Sequence, residues 1–473
     1  MITLRLKKKI VENKLCILFI SIIISISIFL AVSVELEADY YWHLIAGKYM
    51  FNNHTILTKD IFSWYLYGKE WISHEWLFEY ILYCFKFAFN QNHVIIFSLI
   101  LVTTIMLLIH IPNLKNYKNN IAFSLLWISF SIIFIFYIQL RPHLFSYIFF
   151  ALSIYILYDL YKNENSKKIY SLPVLSVLWA NVHGGSSNLV YLLPLLFMIT
   201  GIFQFCCNKI YSKRLTKRQY TKLILITIIS FVFLTINPHG IKMLFYPYQN
   251  LADVTMINTI SEWQPTNLNN IMHYPYYILV IIIVIILLFS EKKINMIDMI
   301  MLAFTIFLGL KAIRFWPYTY IVSTYFICNY IKKRKKDNLT EIVMVLIIIS
   351  FLFLALKVNK INDKNKIIDD YTINYLKDVK PKRLYNYYDY GGYLIYNDIK
   401  VFIDGRADLY SKYNYKNYHK ICNTNNSFIE LISKYNFDYY IVKKNTNIDY
   451  YLYRTKEYVR VIKKKKYNIY KHK

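Results

Sequence analysis

Residues 36–50 read "LEADYYWHLIAGKYM". They place two carboxylates (Glu37, Asp39), a histidine (His43) and an aromatic cluster directly after an apolar run. A carboxylate in such a setting has two chemical uses: it can take the proton of an acceptor hydroxyl, or it can orient a divalent cation. The Glu-x-Asp spacing puts both side chains on one face of a strand or draws them together in a turn. His43, four residues beyond Asp39, shares a helical face with it and is placed to be its hydrogen-bonded partner. The competing explanation is an acidic helix end that simply prefers water.

Further candidates lie along the chain. "WISHEWLFEY" (71–80) sets His74 and Glu75 between two tryptophans, which suits a cavity wall or an interfacial aromatic belt. Arg141, with His143 in "RPH", and Arg314, in "AIRFW", are cations at apolar-run ends. A phosphate-bearing lipid would give either a bidentate partner at headgroup depth. "WANVHGG" and "NPHG" put His183 and His239 beside glycine, where a backbone can approach a ligand closely or turn sharply. "SEWQPT" offers Glu262 and Trp263, an acid and a flat apolar surface that suits a sugar ring. Near the C-terminus, "YDYGGYLIY" (388–396) and "VFIDGRADLY" (401–410) read as a ligand loop at a strand end or as a salt-bridge network of Asp404, Arg406 and Asp408. The network is the preferred reading of that stretch.

The elements that must position these residues are membrane helices. The chain of 473 residues is 56% hydrophobic, more apolar than soluble proteins of its size. "LCILFISIIISISIFLAVSV" (15–34) is long enough for a bilayer core of about 30 Å. It follows "RLKKK", exceeds a signal-peptide core and precedes no clear cleavage site, so it reads as a retained helix with a cytoplasmic N-terminus. The net charge of +28 comes with no nucleic-acid recognition motif, and much of the Lys sits between apolar runs, so nucleic acid is not an expected partner. The six cysteines have no metal or disulfide spacing.

Apolar runs lie near 15–34, 93–111, 121–139, 143–160, 168–182, 187–207, 223–237, 275–290, 295–310, 315–331 and 340–357. With these eleven crossings, the basic stretches 208–222, 290–295 and 331–338 fall on the same side as "RLKKK", the cytoplasmic side. The charged run 74–89 is then an amphipathic helix on the outer surface. The consequence is an asymmetry: every candidate motif above lands at an outer helix end or in an outer loop. Residues 1–357 form the transmembrane domain, with 35–92 as its first outer loop. Residues 358–473 alternate helix-like segments with strand-like ones ("KVFIDG", "DYYIVKK", "YVRVIKKKKYNIY") and read as an extracytoplasmic α/β domain.

The order of these motifs, from the acidic first loop through "HEWL", "RPHLFSY", "WANVHGG", "NPHG" and "EWQP" to "GGYLIY…FIDGR", resembles a group of bacterial membrane proteins. These look like GT-C-type glycosyltransferases, the superfamily of protein O-mannosyltransferases, aminoarabinose transferases and oligosaccharyltransferases. The resemblance implies a polyprenyl-phosphate-linked sugar donor, chemistry on the extracytoplasmic face, and a glycan, lipid or protein acceptor. Asp39 matches the first-loop acid of the superfamily, and 74–89 matches its surface helix. The usual first-loop pair is Asp-Glu or Asp-x-Asp, whereas here it is Glu37-Ala38-Asp39, which leaves the role of Glu37 and any divalent cation open. In an inverting transfer Asp39 would act as general base with His43 orienting or relaying. Arg314 and Arg141 would stabilise the departing phosphate, and Tyr40, Trp42 and Trp263 would stack on sugars.

Two other classes compete. A lipid-linked-glycan flippase, exporter or polymerase-like protein would also want outer arginines and aromatics, but needs polar residues at mid-membrane depth, where these runs are nearly free of charge. A cell-surface glycan-binding or assembly protein would keep its function in 358–473 expressed alone.

Overall fold

In a bilayer a backbone must satisfy its own hydrogen bonds, and among the described residues the uncharged Ile-, Leu- and Phe-rich stretches fold as helices. The computed structural model describes residues 2–34, 36–118, 120–135, 139–332, 347, 349–350 and 367–473. Most of the apolar run 340–357, most of the basic stretch 331–338 and the expected boundary at 357 lie outside the described residues. The chain divides into two units: Met1–Val34, Gln91–Pro247 and Ile260–Asp363 in one, and Glu35–Asn90, Tyr248–Thr259 and Lys364–Lys473 in the other.

The first unit is helical. Among the described residues of the chain, four helical stretches are long and apolar enough to cross a bilayer: Lys14–Val32, Trp76–Tyr117, His143–Lys162 and Ile271–Leu288. Ile121–Ile133 and Gly184–Thr200 are shorter apolar helices. Leu172–Val182, Lys217–Phe233, Met296–Lys311 and Trp316–Phe326, all runs expected to cross, form helices of 11 to 17 residues. The stretch Trp76–Tyr117 is broken at Asn90, whose φ of 47° and ψ of −116° separate the helix Trp76–Phe89 from His93–His110.

The loops of this unit gather at two ends. At one end, β1 (Phe205–Cys206) and β2 (Ile210–Ser212) pair antiparallel, and β2 pairs in parallel with β3 (Ile294–Asn295). This joins the basic loops 208–222 and 290–295. Lys222 donates to the carbonyls of Glu164 and Ser166, bringing the loop after Lys162 to the same end. At the other end, Asn181 Nδ2 donates to the Ile236 carbonyl, and Ile313 N to the Gln264 carbonyl. The "VHGG" and "NPHG" turns are thus joined, as are "EWQP" and "AIRFW". Helices such as His143–Lys162 run from the motif end to the basic end.

The second unit is built around a four-stranded sheet in the order β4 (Leu384–Asn386), β5 (Tyr439–Lys443), β7 (Tyr467–His472), β6 (Tyr458–Lys463). β4 and β5 are parallel, and β7 is antiparallel to both its neighbours. "DYYIVKK" and "YVRVIKKKKYNIY" are strands as expected. "KVFIDG" is not: Val401 makes a single bridge with Ser63 of the first loop, where Trp64 N donates to the Val401 carbonyl and Val401 N to the Phe62 carbonyl. The buried Asn386 side chain caps the same stretch, accepting from Phe402 N and donating to the Ile403 carbonyl.

Residues of the first loop complete this unit. The helix Ala38–Asn53 packs along Trp76–Phe89 at Gly47, where a Cβ would fall 2.0 Å from the Glu79 carbonyl oxygen. Only a residue without a side chain lets the two backbones come so close.

Candidate functional site

The helix Ala38–Asn53 starts after Glu37, which has extended backbone (φ −85°, ψ 170°) and no side-chain capping bond. Asp39 therefore lies in the first turn, where a carboxylate is favoured by the helix dipole, rather than in a strand or turn beside Glu37. Its Oδ1 accepts from Trp42 Nε1 at 3.2 Å. Gly405, from the "DGR" stretch, lies against the same oxygen, and a Cβ there would fall 1.7 Å from it. A second acid, Asp389, is electrostatically coupled to Asp39. The protein packed around its carboxyl raises its pKa, Lys443 acts against this, and the Asp39 charge raises it further.

His43 is buried, and its ring nitrogens face two glutamates, Glu79 Oε1 at 3.3 Å from Nδ1 and Glu75 Oε2 at 3.6 Å from Nε2. Gly47, one turn on, is what brings Glu79 within reach. Glu75 Oε1 lies 2.9 Å from His74 Nε2, and Ser73 Oγ donates to Glu79 Oε2 at 3.1 Å. Burial alone would lower the His74 pKa, but the charge and hydrogen bond of Glu75 outweigh it and the pKa is raised. Among the described residues, His43, Glu75 and Glu79 are the His/Cys/Asp/Glu group whose ligand atoms, one from each, all lie within 4.8 Å of one another. Tyr40 and Trp42 are each 5% exposed, and Trp42 lies against His43 at 3.6 Å between ring centroids, the rings tilted by 34°. They are packing groups, not open platforms for a sugar.

In the helical unit, Glu262 lies between both singled-out arginines: Arg141 Nη1 is 3.5 Å from its Oε2 and Arg314 Nη1 3.8 Å from its Oε1. The Arg314 guanidinium lies 4.3 Å over the Trp263 ring. Four residues from three separated motifs thus form one cluster with a net positive charge, two guanidiniums around a single carboxylate. His143 begins the helix His143–Lys162 and packs on Tyr147 at 5.4 Å. His183 is buried, with Nδ1 2.6 Å from Ser146 Oγ and 3.0 Å from Ser186 Oγ. His239 belongs to an Asn237 turn, its backbone N donating to Asn237 Oδ1 at 2.7 Å.

Three residues with a place in these networks escaped the sequence reading. Glu79 stands four residues after Glu75, one helical turn, a spacing legible in "HEWLFEY". Asp389 lies in "YDYGG", where no spacing to another acid or base marks it. Asp60 accepts from Phe62 N, Ser63 N and Arg406 Nη1, the last at 2.6 Å. Arg406 is also bidentate to Asp404, at 2.8 and 2.6 Å. The expected network around Arg406 exists, but its second acid comes from the first loop.

No protein-family model matches this sequence, and no curated protein matches it. Among solved structures, the chain is similar to the oligosaccharyltransferase of Archaeoglobus fulgidus in its apo form. The two share 11% identity with a TM-score of 0.52, over 91% of this chain and 69% of that one. The archaeal oligosaccharyltransferase AglB of the same organism, in complex with an inhibitory peptide and a dolichol-phosphate, aligns at 11% identity over 92% of this chain and 70% of that chain, with a TM-score of 0.49. At such identity the first likeness is one of fold alone: helices long and apolar enough to cross a bilayer, with a C-terminal α/β part.

Proposed function

We propose that the protein is a membrane glycosyltransferase that moves a sugar from a polyprenyl-phosphate-linked donor to an acceptor at the extracytoplasmic face. The observation that carries this reading is the fold shared with the apo oligosaccharyltransferase over nine-tenths of the chain. The Arg141–Glu262–Arg314 cluster adds chemistry that suits a phosphate, since paired guanidiniums present fork-shaped donors and a phosphate can replace the glutamate between them.

In this reading Asp39 takes the proton of the acceptor hydroxyl as that oxygen bonds to the anomeric carbon. The carbon–oxygen bond to phosphate breaks in the same displacement, and polyprenyl phosphate leaves as an anion stabilised by Arg141 and Arg314. Glu262 and Trp263 position the arginines. His43, His74 and Glu75 hold the helix that carries Asp39, His143 and His239 serve as lining groups for the substrate, and the buried His183, bonded to Ser146 and Ser186, supports that wall from behind.

Mass spectrometry of cell-surface glycans and glycolipids tests this in three strains: wild type, a deletion, and the deletion complemented with Asp39→Asn at matched membrane levels. The expected result is loss of the same sugar from the deletion and the Asn strain. A deletion that loses a glycan which the Asn variant restores would remove Asp39 as base and favour transport or scaffolding.

A further inference from the structure

Glu75 and Glu79 lie one helical turn apart at the start of the helix Trp76–Phe89 and both face His43. Each carboxylate has a close partner on one oxygen, His74 Nε2 for Glu75 and Ser73 Oγ for Glu79. The other oxygen of each is directed at the His43 ring, at 3.6 and 3.3 Å. A charge-assisted N–H···O bond is shorter, about 2.7–2.9 Å. A neutral imidazole, with one N–H, cannot donate to both acids, so the cluster needs an added positive charge, either a second ring proton or a metal ion. The two separations run to different ring nitrogens, of which one ion can take only one. Metal bonds of about 2.0–2.2 Å put neighbouring ligand atoms about 3.3–3.6 Å apart, a spacing the Nδ1–Glu79 pair already has.

We propose that His43, Glu75 and Glu79 bind a divalent first-row transition ion. One ring nitrogen of His43 and one oxygen from each glutamate are the ligands, and their atoms already lie within 4.8 Å of one another. One imidazole with two carboxylates suits an ion of intermediate softness such as Zn²⁺ or Mn²⁺. Ser73 and His74 are the outer partners that hold the carboxylates in orientation, as supporting residues do around metal centres. Side-chain exposures of 3%, 13% and 0% for His43, Glu75 and Glu79, with the Trp42 ring packed against the imidazole, make a dry setting. There two neighbouring carboxylates gain from a cation. The ion clamps the helix that carries Asp39 to the helix Trp76–Phe89. The assignment goes beyond the transferase reading and stands without it, because ion binding is measured with no sugar donor present.

The test uses the purified full-length chain in detergent, stripped with a chelator and titrated with Zn²⁺ by calorimetry and with Co²⁺ by visible absorption. The expected result is about one equivalent bound, with protons released as the ligands are taken by metal. His43→Gln and Glu79→Gln should each weaken Zn²⁺ binding at least about tenfold. Asp159→Asn, at a carboxylate paired with Lys168 in the other unit, should bind as wild type. Should the ligand variants fail to fold, X-ray absorption of the Zn²⁺-loaded wild type must still show an imidazole among nitrogen and oxygen ligands. No Zn²⁺ uptake by folded wild type, undiminished binding in both variants, or a Zn²⁺ shell without imidazole would each overturn the assignment.

Discussion

Asp39 is constrained by its neighbours more than by its own position. Trp42 holds one oxygen, and the missing side chain of Gly405 leaves room for it. Gly405→Ala would drive a methyl to within 1.7 Å of that oxygen, so the carboxylate must move. Displacing a reacting group by about 1 Å can cost on the order of a hundredfold in rate. On the proposed role of Asp39 as base, Gly405→Ala is expected to lower sugar transfer to that extent, read as the missing glycan mass at matched protein levels. Gly68→Ala is the contrasting control. It has no atom within 4 Å but a φ of +79°, so it should leave transfer unchanged and lower stability by about 1 kcal/mol, seen as a lower thermal midpoint. Residue types and spacing pointed to Asp39, His43, Glu75 and the two arginines. They did not show that His43 faces two glutamates, because helical spacing ranks partners on the same helix and is silent about the helix opposite.

Element by element, the helices of the C-terminal part were the more legible. Asp369 caps the helix Asp370–Val379, accepting from Thr372 N. Burial alone would raise its pKa, but hydrogen bonds from Tyr467, Lys464 and Thr372 draw it down to about 2. A carboxylate depressed in the folded state stabilises the fold above its ordinary pKa of about 3.9. That contribution is lost as pH falls through about 2. Asp369→Ala should cost about 1 kcal/mol at pH 7. The gap between variant and wild type should close as thermal melts are repeated down to about pH 2, where the wild-type carboxylate is itself protonated. The strand β4, only Leu384–Asn386, was not anticipated, and "KVFIDG" was expected to be one. Both misreadings share a cause: three residues carry little periodicity, and the β-like composition of "KVFIDG" serves a bridge to Ser63, more than 300 positions away.

At the scale of the molecule, the second unit is assembled from segments at opposite ends of the sequence. Arg406 joins them: fully buried, it is paired with Asp404, two positions earlier, and with Asp60, 346 positions earlier. Removing one partner of a buried ion pair leaves an uncompensated charge and costs about 3–5 kcal/mol. Arg406→Met should accordingly lower the thermal midpoint strongly. Adding Asp60→Asn and Asp404→Asn should recover part of the loss, because no buried charge then remains unpaired. If the triple variant is no more stable than Arg406→Met, shape rather than charge holds the segments together.

Some properties of this protein follow from local sequence alone. Uncharged runs of bilayer length require helices, Lys-rich loops alternate with motif loops along the chain, and an acid one turn from a histidine can be read from spacing. These rest on period, length and charge, which act within a few residues. The tertiary structure alone decided that Glu262 lies between Arg141 and Arg314 and that Gly405 lies against Asp39. It alone decided that the first loop completes the sheet unit. Those pairings join residues up to hundreds of positions apart, and close packing rather than any local preference selects among the partners available.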